Sequence, residues 1–186
     1  MTTALRRLTP ADTDALTAFL TAESWPYHGS HRPDPGLVRR RAAQGYYAGP
    51  GAETFWITAD GTDVGMARLF DLDDGGTPMF DLRVAAGHRG RGIGTAALAH
   101  LTRHVFTAYP AVHRFEGTTR ADNTPMCRTF LRAGWVKEAH YREGWPDEDG
   151  TRHDAVGYAI LDHDWRDGTV TLPRWDAAPM PGPGLP

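Results

Sequence analysis

The chain has 186 residues, of which 40% are hydrophobic and 23% charged, the composition of one soluble globular domain with a substantial core. Its formal net charge of −3 excludes the overall basic field by which many proteins attract nucleic acid or an anionic membrane. One cysteine excludes an internal disulfide framework, and no apolar run reaches the ~20 residues that span a bilayer. We therefore expect a cytoplasmic protein without a membrane or nucleic-acid partner.

Two helices are predicted near the start of the chain. Thr9 is suited to cap the first, over about residues 10–23, with Pro10 in its first position and Asp12 placed to complete a capping box. A loop rich in proline and glycine follows. It leads to a short basic helix that we expect over 36–44.

Alternation of apolar and polar residues predicts three strands next. ETFWITAD and TDVGMARLFDL flank Asp60-Gly61, a dipeptide typical of tight hairpin turns. In TPMFDLRV, apolar side chains alternate with Asp81 and Arg83, so this strand has two chemically different faces.

The second half of the chain alternates helices and strands. Apolar residues at every fourth position over 93–105 predict a helix, and HRFEGTTR predicts a strand. A further helix is expected over about 124–133, with Asn123 as its N-cap and Gly134 as its stop. WVKEAHYREGW and RHDAVGYAIL predict the last two strands.

This order of elements predicts an α/β (α+β) fold with a single mixed, mostly antiparallel sheet flanked by helices. We expect one domain over residues 1–170. The remaining residues, 171–186, include a closing stretch rich in proline and glycine, which predicts a disordered tail.

Three closely spaced glycines stand out in HRGRGIGTAALAHL, residues 88–101, between a predicted strand and a predicted helix. A helix N-terminus carries unpaired N–H groups and a partial positive charge, and glycines allow an anion to approach the backbone closely. The motif therefore favours a phosphate site, with a plain flexible connection as the alternative. It is not a P-loop, and its third glycine comes one residue too early for a dinucleotide loop.

These motifs resemble the GNAT superfamily of acyl-CoA-dependent N-acetyltransferases. The family's pyrophosphate motif, Arg/Gln-x-x-Gly-x-Gly/Ala, is matched at 89–94, and its D-L-x-V strand motif at 81–84. The similarity covers roughly residues 4–165. The branch that acetylates the N-termini of ribosomal proteins has a further spacing that is matched here by Asn123, Arg128, Gly134 and Trp135.

The resemblance implies acetyl-CoA as co-substrate, bound in a V-shaped opening between the fourth and fifth strands. The pantetheine would lie along the backbone of Leu82, Arg83 and Val84, where an N–H near Val84 can donate to the thioester oxygen. The other implied coenzyme-binding residues are Arg89, Gly90, Arg91, Gly92, Ile93, Gly94, Thr95, Asn123 and Arg128. No metal is expected, since His100 and His104 lack a third ligand and are interpreted as surface histidines.

Acetyl transfer also requires proton transfer. An aliphatic ammonium must lose a proton before it attacks a thioester, at a cost of about 4 kcal/mol at pH 7, so a base is expected. Asp81 is the first candidate and Glu116 the alternative, although a structural role for Asp81 stays open. The family's acidic tyrosine is replaced by Phe130. Cys127 and Tyr141 are the candidate substitutes, with a buried core thiol as the other interpretation of Cys127.

The amine acceptor is implied to lie between the first interhelical loop and the last hairpin. The candidate acceptor-binding residues are Trp25, Tyr27, His28 and Trp145, beside the carboxylates of PDEDG. Aromatic rings with carboxylates suit a cation. Alternatively, the tryptophans only cover the core and PDEDG is a solvated turn.

We therefore predict an enzyme, an acetyl-CoA-dependent N-acetyltransferase acting by direct attack in a ternary complex. The acceptor is expected to be a small-molecule amine or a protein N-terminus, and the protein a monomer or homodimer. A catalytically idle acyl-CoA-binding module and a nucleotide-binding protein are the alternatives.

Overall fold

Two sheets and five α-helices make up the part of the chain that the computed structural model describes, residues 1–73 and 76–174. The strands are Thr3–Arg7 (β1), Glu53–Ala59 (β2), Thr62–Phe70 (β3), Met79–Val84 (β4), Arg114–Arg120 (β5), Val136–Pro146 (β6) and Arg152–Leu161 (β7). The helices are Thr13–Thr21 (α1), Pro35–Ala43 (α2), Ile93–Ala108 (α3), Thr124–Arg132 (α4) and Asp162–Asp167 (α5).

The strands pair antiparallel in the orders β1-β2-β3-β4 and β5-β7-β6. The predicted α/β class, with antiparallel strands flanked by helices, is confirmed. The expected single sheet is divided, because β4 and β5 do not form a ladder. The Glu116 N–H donates to the Pro78 carbonyl at 3.0 Å, where β4 begins. Beyond that hydrogen bond the two sheets form an opening beside β4.

Local signals placed several boundaries correctly. The Thr9 N–H donates to the Asp12 carboxylate at 2.8 Å, as in the predicted capping box. The Asn123 side chain accepts the Met126 N–H at 3.3 Å and so caps α4. The hairpin at Asp60 also forms where predicted, with a positive φ of 47°. The prediction missed β1 and α5, which are only five and six residues long.

An aromatic cluster fills the core beneath the opening. Phe130, which replaces the family's acidic tyrosine, is 1% exposed and stacks on Tyr158 with ring centroids 4.5 Å apart. Phe80 packs against the same cluster from β4. Gly117 of β5 makes room for both phenylalanines, because a Cβ atom there would lie 2.7 Å from each ring. Position 130 is therefore core rather than part of a proton-transfer site.

The two helical histidines have structural partners. His100 Nε2 lies 3.0 Å from the Thr3 carbonyl, and His104 Nε2 lies 2.5 Å from the Glu53 carboxylate. Both rings are half-buried against β1 and β2 rather than free on the surface. None of the described helices is long and apolar enough to cross a membrane.

The end of the described chain is tied to α5. Asp164 is 4% exposed and its carboxylate accepts from the Thr169 hydroxyl at 2.7 Å and from the Thr171 N–H at 2.9 Å. Thr171, the first residue of the predicted tail, is therefore bonded to the domain. The rest of that tail from residue 175 lies outside the described residues, so the domain boundary stays a prediction.

Replacing Asp164 with asparagine is expected to lower the free energy of unfolding by about 1–3 kcal/mol at neutral pH, the value typical of hydrogen bonds to a charged group. The Thr169 hydroxyl and the Thr171 groups hold the pKa of Asp164 below its ordinary value, against the effect of burial. The carboxylate therefore stabilises the fold above the unfolded-state pKa of about 4, and this contribution disappears as the pH falls through the folded-state pKa. Urea unfolding at pH 7 and pH 3 measures both stabilities. A difference between wild type and variant that stays constant over this range contradicts the assignment.

Candidate functional site

An open cavity of about 550 Å³ lies between the α1–α2 loop, the end of β4 and the first turns of α3 and α4. Its lining is cationic and apolar, and no aspartate or glutamate in the described chain belongs to it. The lining residues are Trp25, Pro26, Tyr27, His28, Leu82, Arg83, Val84, His88, Arg89, Gly90, Gly92, Ile93, Gly94, Thr95, Asn123, Pro125, Met126, Arg128, Thr129 and Arg132.

The glycine turn forms one wall of this cavity and leads directly into α3. Gly90 and Gly92 have φ values of 75° and 82°, the left-handed region that side chains disfavour. Gly92 caps α3, and the N–H groups of residues 93–95 have no intrahelical acceptor because they begin the helix. Residues 92–95 all line the cavity. The turn thus presents unpaired N–H groups and a positive helix end to the cavity.

The arginines of the motif serve the turn in different ways. Arg89 lines the cavity, but its guanidinium donates to the Val84 carbonyl at 2.7 Å and pairs with Glu23 at 2.9 Å. It therefore holds the turn against β4 and the α1–α2 loop instead of standing free. Arg91 is exposed and its side chain is not part of the lining, so the prediction of a direct coenzyme contact by that side chain is not supported.

Free positive charge comes instead from α4. Arg128 and Arg132 both line the cavity, are exposed, and form no ion pair with any residue that the structure describes. Asn123 also lines it, but its side chain is occupied by the α4 cap and by Thr119 at 2.9 Å. Arg132 was not predicted, although its four-residue spacing from Arg128 places both on one helix face.

The edge of β4 supplies backbone groups to the opening. The Val84 carbonyl accepts from Arg89, and the Leu82 carbonyl lies 3.4 Å from His28 Nε2, so neither carbonyl is directed at β3. Since the N–H and C=O of one residue point to the same side of a strand, the Leu82 and Val84 N–H groups also face away from β3. Gly65 of β3 permits this arrangement, because a Cβ atom there would collide with the Arg83 carbonyl.

Asp81 lies at the centre of a three-residue cluster on the other face of β4. Its carboxylate is 2.9 Å from Arg83 Nη2 and 3.2 Å from His28 Nε2. Burial raises the pKa of the Asp81 carboxyl, but the hydrogen bond from His28 and the charge of Arg83 outweigh it and hold that pKa well below its usual range. Asp81 is thus a weak base, and it does not line the cavity. The interpretation of Asp81 as a positioned, structural carboxylate fits this geometry better than that of proton acceptor.

The remaining predicted catalytic residues lie outside the cavity lining. Glu116 is paired with Arg114 at 2.6 Å on β5, which neutralises it away from the opening. Tyr141 is 55% exposed on the outer part of β6. Cys127 packs against the aromatic core, where burial and the Cys127 thiol raise the pKa of Tyr158 to about 12. The structure therefore supports the core interpretation of Cys127 and gives neither candidate an acid role.

Three of the four predicted acceptor residues line the cavity. Tyr27 and His28 line the cavity, whereas Trp145 does not. Trp25 lines it but is 2% exposed, and its ring lies 5.4 Å from each of the Arg83 and Arg89 guanidinium carbons. Its cation-binding face is therefore occupied by the protein's own arginines, and it acts mainly as core cover.

The carboxylates of the last hairpin are also engaged. Asp147 is 9% exposed and pairs with Arg120 at 2.5 Å, His31 at 3.0 Å and His153 at 3.2 Å. Glu148 accepts the His31 N–H at 3.0 Å. The contacts with His31 fasten the hairpin to the α1–α2 loop, and they leave neither carboxylate unpaired for a cation.

Sequence reasoning missed several residues of the lining. They are Pro26, His88, Pro125, Met126, Thr129 and Arg132. Together with the predicted Arg128, Pro125, Thr129 and Arg132 follow the spacing i, i+3, i+4 and i+7, a pattern that could have revealed the cavity-facing side of the helix. The pairing of His28 with Asp81 joins residues 53 positions apart, and no local pattern predicts it.

Comparisons with known proteins agree with this architecture. The sequence model of the acetyltransferase (GNAT) domain matches residues 3–136, most of the chain. No curated protein matches the sequence significantly.

Solved structures give the same fold. The spermidine N-acetyltransferase of Vibrio cholerae in complex with CoA and spermine has a TM-score of 0.74 at 16% identity, covering 88% of this chain and 98% of its own. RimJ of Mycobacterium smegmatis in complex with CoA-disulfide has a TM-score of 0.70 at 26% identity, covering 87% and 83%. Aminoglycoside acetyltransferase AAC(6')-Ib in complex with coenzyme A has a TM-score of 0.71 at 21% identity, covering 89% and 98%. The chain therefore belongs to the GNAT family of acetyltransferases.

Proposed function

We propose that this protein transfers the acetyl group of acetyl-CoA to a primary amine, by direct attack of the amine in a ternary complex. The observation that carries the proposal is the cavity itself, which joins an anion-binding helix end to the open edge of β4 and to the α1–α2 loop. An extended molecule would fit this cavity if its phosphates lay at the helix end and its reactive carbonyl lay beside β4 and the α1–α2 loop. Acetyl-CoA has that form, and the solved relatives named above were determined with coenzyme A or its disulfide.

The coenzyme would meet three parts of the chain. The N–H groups of residues 93–95 would receive the pyrophosphate, with Arg128 and Arg132 neutralising its charge. The backbone of Leu82 to Val84 would bind the pantetheine, and the Val84 N–H would donate to the thioester oxygen as negative charge develops there. When bound, acetyl-CoA supplies an activated acyl group on a thiol leaving group.

We assign proton acceptance to His28 rather than to Asp81. His28 Nε2 faces two hydrogen-bond acceptors, the Asp81 carboxylate at 3.2 Å and the Leu82 carbonyl at 3.4 Å, so the proton of the neutral ring belongs on Nε2. Nδ1 then carries the free lone pair, and it takes the amine proton once the ring turns to expose this enclosed atom to the cavity. Asp81 orients the ring through its contact with Nε2. A thiol pKa of about 8.5 lets coenzyme A leave without a dedicated acid.

Two measurements test the proposal. Calorimetry should show tighter binding of acetyl-CoA than of ATP or NAD, and a thiol reagent should detect coenzyme A release when a suitable primary amine is added. Tighter binding of either nucleotide would replace the acetyl-CoA assignment with a nucleotide-binding function. Acetyl-CoA binding without thiol release for any amine would instead support the idle binding module.

A further inference from the structure

Two polar atoms beside the cavity have no hydrogen-bond partner among the described residues. They are Nδ1 of His28 and Nη1 of Arg83, and both are shielded from solvent. Buried polar atoms in folded proteins are nearly always paired, because an unpaired one loses its contact with water and gains nothing in return. Both residues line the cavity. Their orphaned atoms are enclosed by protein in this structure, and each gains a partner on a bound molecule once its side chain turns toward the cavity.

Asp81 holds the two side chains next to each other. His28 Nε2 approaches one carboxylate oxygen at 3.2 Å, and Arg83 Nη2 approaches the other at 2.9 Å. Arg83 Nε also donates to the carboxylate, at 3.1 Å, so the guanidinium is fixed by two of its nitrogens and presents the third elsewhere. Because both side chains rest on one carboxylate, a small molecule with two polar groups a few bonds apart can satisfy both orphaned atoms.

The chemistry of these atoms selects the two groups. Arginine remains charged and only donates hydrogen bonds, so Nη1 suits a carboxylate. His28 Nδ1 carries a lone pair, since the ring proton lies on Nε2, and it suits an amine that must lose a proton.

The charge of the cavity favours the same kind of molecule. No described residue of the lining carries a carboxylate, and Arg83 is a buried cation, 9% exposed. Asp147, the buried carboxylate of the neighbouring hairpin, is already paired with Arg120 and His31. Asp81, the carboxylate nearest to the reacting end, is likewise paired with Arg83 and His28, so a polyamine would find no unpaired counter-charge there.

We propose that the acceptor is an amino acid or a similar small amine that carries a carboxylate close to its amino group, with Arg83 binding the carboxylate and His28 facing the amine. This inference rests on the proposed acetyl transfer. In the reaction, the amine nitrogen bonds to the acetyl carbon and the carbon–sulfur bond breaks. The ammonium gives one proton to His28 before the attack, and the second N–H proton passes to the departing sulfur, so that coenzyme A leaves as its thiol.

The test compares amino acids with their own primary amides, alongside spermidine, by coenzyme A release from the full-length protein. We expect kcat/KM for the best amino acid to exceed that of its amide by about tenfold to a hundredfold, the effect of one charge-assisted hydrogen bond. The amino group of a free amino acid is more basic than that of its amide, so less of it is deprotonated and reactive at neutral pH. A higher kcat/KM for the acid therefore reports binding of its carboxylate. Efficient acetylation of amides or spermidine with weak acetylation of acids would overturn the carboxylate inference while leaving acetyl transfer intact. Absence of thiol release with every amine would contradict the proposed function itself, and the inference with it.

Variants of Arg83 test whether this residue is the source of the preference for amino acids over their amides. Arg83→Gln should bring the acid-to-amide ratio close to one, and Arg83→Lys, which keeps the charge, should retain part of it. Arg68→Gln is the matched control, because Arg68 lies opposite Asp81 on β3, bonds to the Tyr46 carbonyl, and does not line the cavity. A wild-type ratio in Arg83→Gln, or an equal loss in Arg68→Gln, overturns the assignment. If Arg83→Gln does not fold, the wild-type and Arg83→Lys ratios decide.

Discussion

Replacing Gly92 with alanine is expected to raise the Kd of acetyl-CoA about five- to thirtyfold. An L-residue in the left-handed conformation costs about 1–2 kcal/mol, and Gly92 holds that conformation, with φ at 82°, where α3 begins. A methyl group at position 92 would meet no protein atom within 4 Å, so nothing inside the protein explains the glycine except its backbone conformation. Relief of the strain would rotate the first N–H groups of α3 away from the cavity.

Gly87→Ala provides the matched control for this experiment. Gly87 lies five residues earlier in the same connection, its Cβ position is equally open, and its φ is not in the left-handed region. We expect Gly87→Ala to bind acetyl-CoA like the wild type in calorimetry, with thermal unfolding recorded for both variants. A Gly92→Ala protein with unchanged Kd and unchanged unfolding temperature would show that the turn does not depend on this glycine and would remove it from the coenzyme site.

Elements with strong local signals were predictable from the sequence. The Asn123 cap, the Asp60-Gly61 turn and the long apolar periodicity of α3 each depend on residues within a few positions of one another. Strand β1 was missed because TALRR has only one large apolar residue, Leu5, followed by two arginines, and its strand form comes from pairing with β2. The split between the sheets was also hidden, since it depends on β4 and β5 failing to pair.

The coenzyme end of the site was more predictable from the sequence than the end that holds Arg83, Asp81 and His28. The glycine turn and the β4 motif carry their function in consecutive residues, so they could be located in the sequence. Arg83 illustrates the other case. A charged residue on a strand is normally assigned to solvent, and Arg83 is buried only because Asp81, two residues earlier, and Trp25, from a distant loop, surround its guanidinium. Likewise, Asp81 looked like a base until His28 and Arg83 were found on its carboxylate.

Replacing His28 with glutamine should lower kcat about 100- to 10,000-fold at neutral pH, the usual contribution of a general base, while leaving the Kd of acetyl-CoA close to that of the wild type. Glutamine keeps polarity and approximate size but has no basic nitrogen. At higher pH more of the amine is already deprotonated, so the deficit of the variant should shrink as the pH rises. The His28 ring faces the Asp81 carboxylate and lies beside Arg83, and the pKa of Asp81 is held well below its usual range, so Asp81 does not titrate within the profile.

The comparison between His28→Gln and Asp81→Asn separates the two candidate bases. If Asp81 positions His28, Asp81→Asn keeps the basic nitrogen but loses its orientation. It should therefore lose less activity than His28→Gln. His113→Gln is the control for a neutral exchange, because His113 is exposed and does not line the cavity. A larger loss in Asp81→Asn than in His28→Gln would return the base role to the carboxylate. Near wild-type turnover in His28→Gln at neutral pH would exclude the His28 imidazole as the general base. Among the described residues, it is the one neutral nitrogen base that contacts the Asp81 carboxylate.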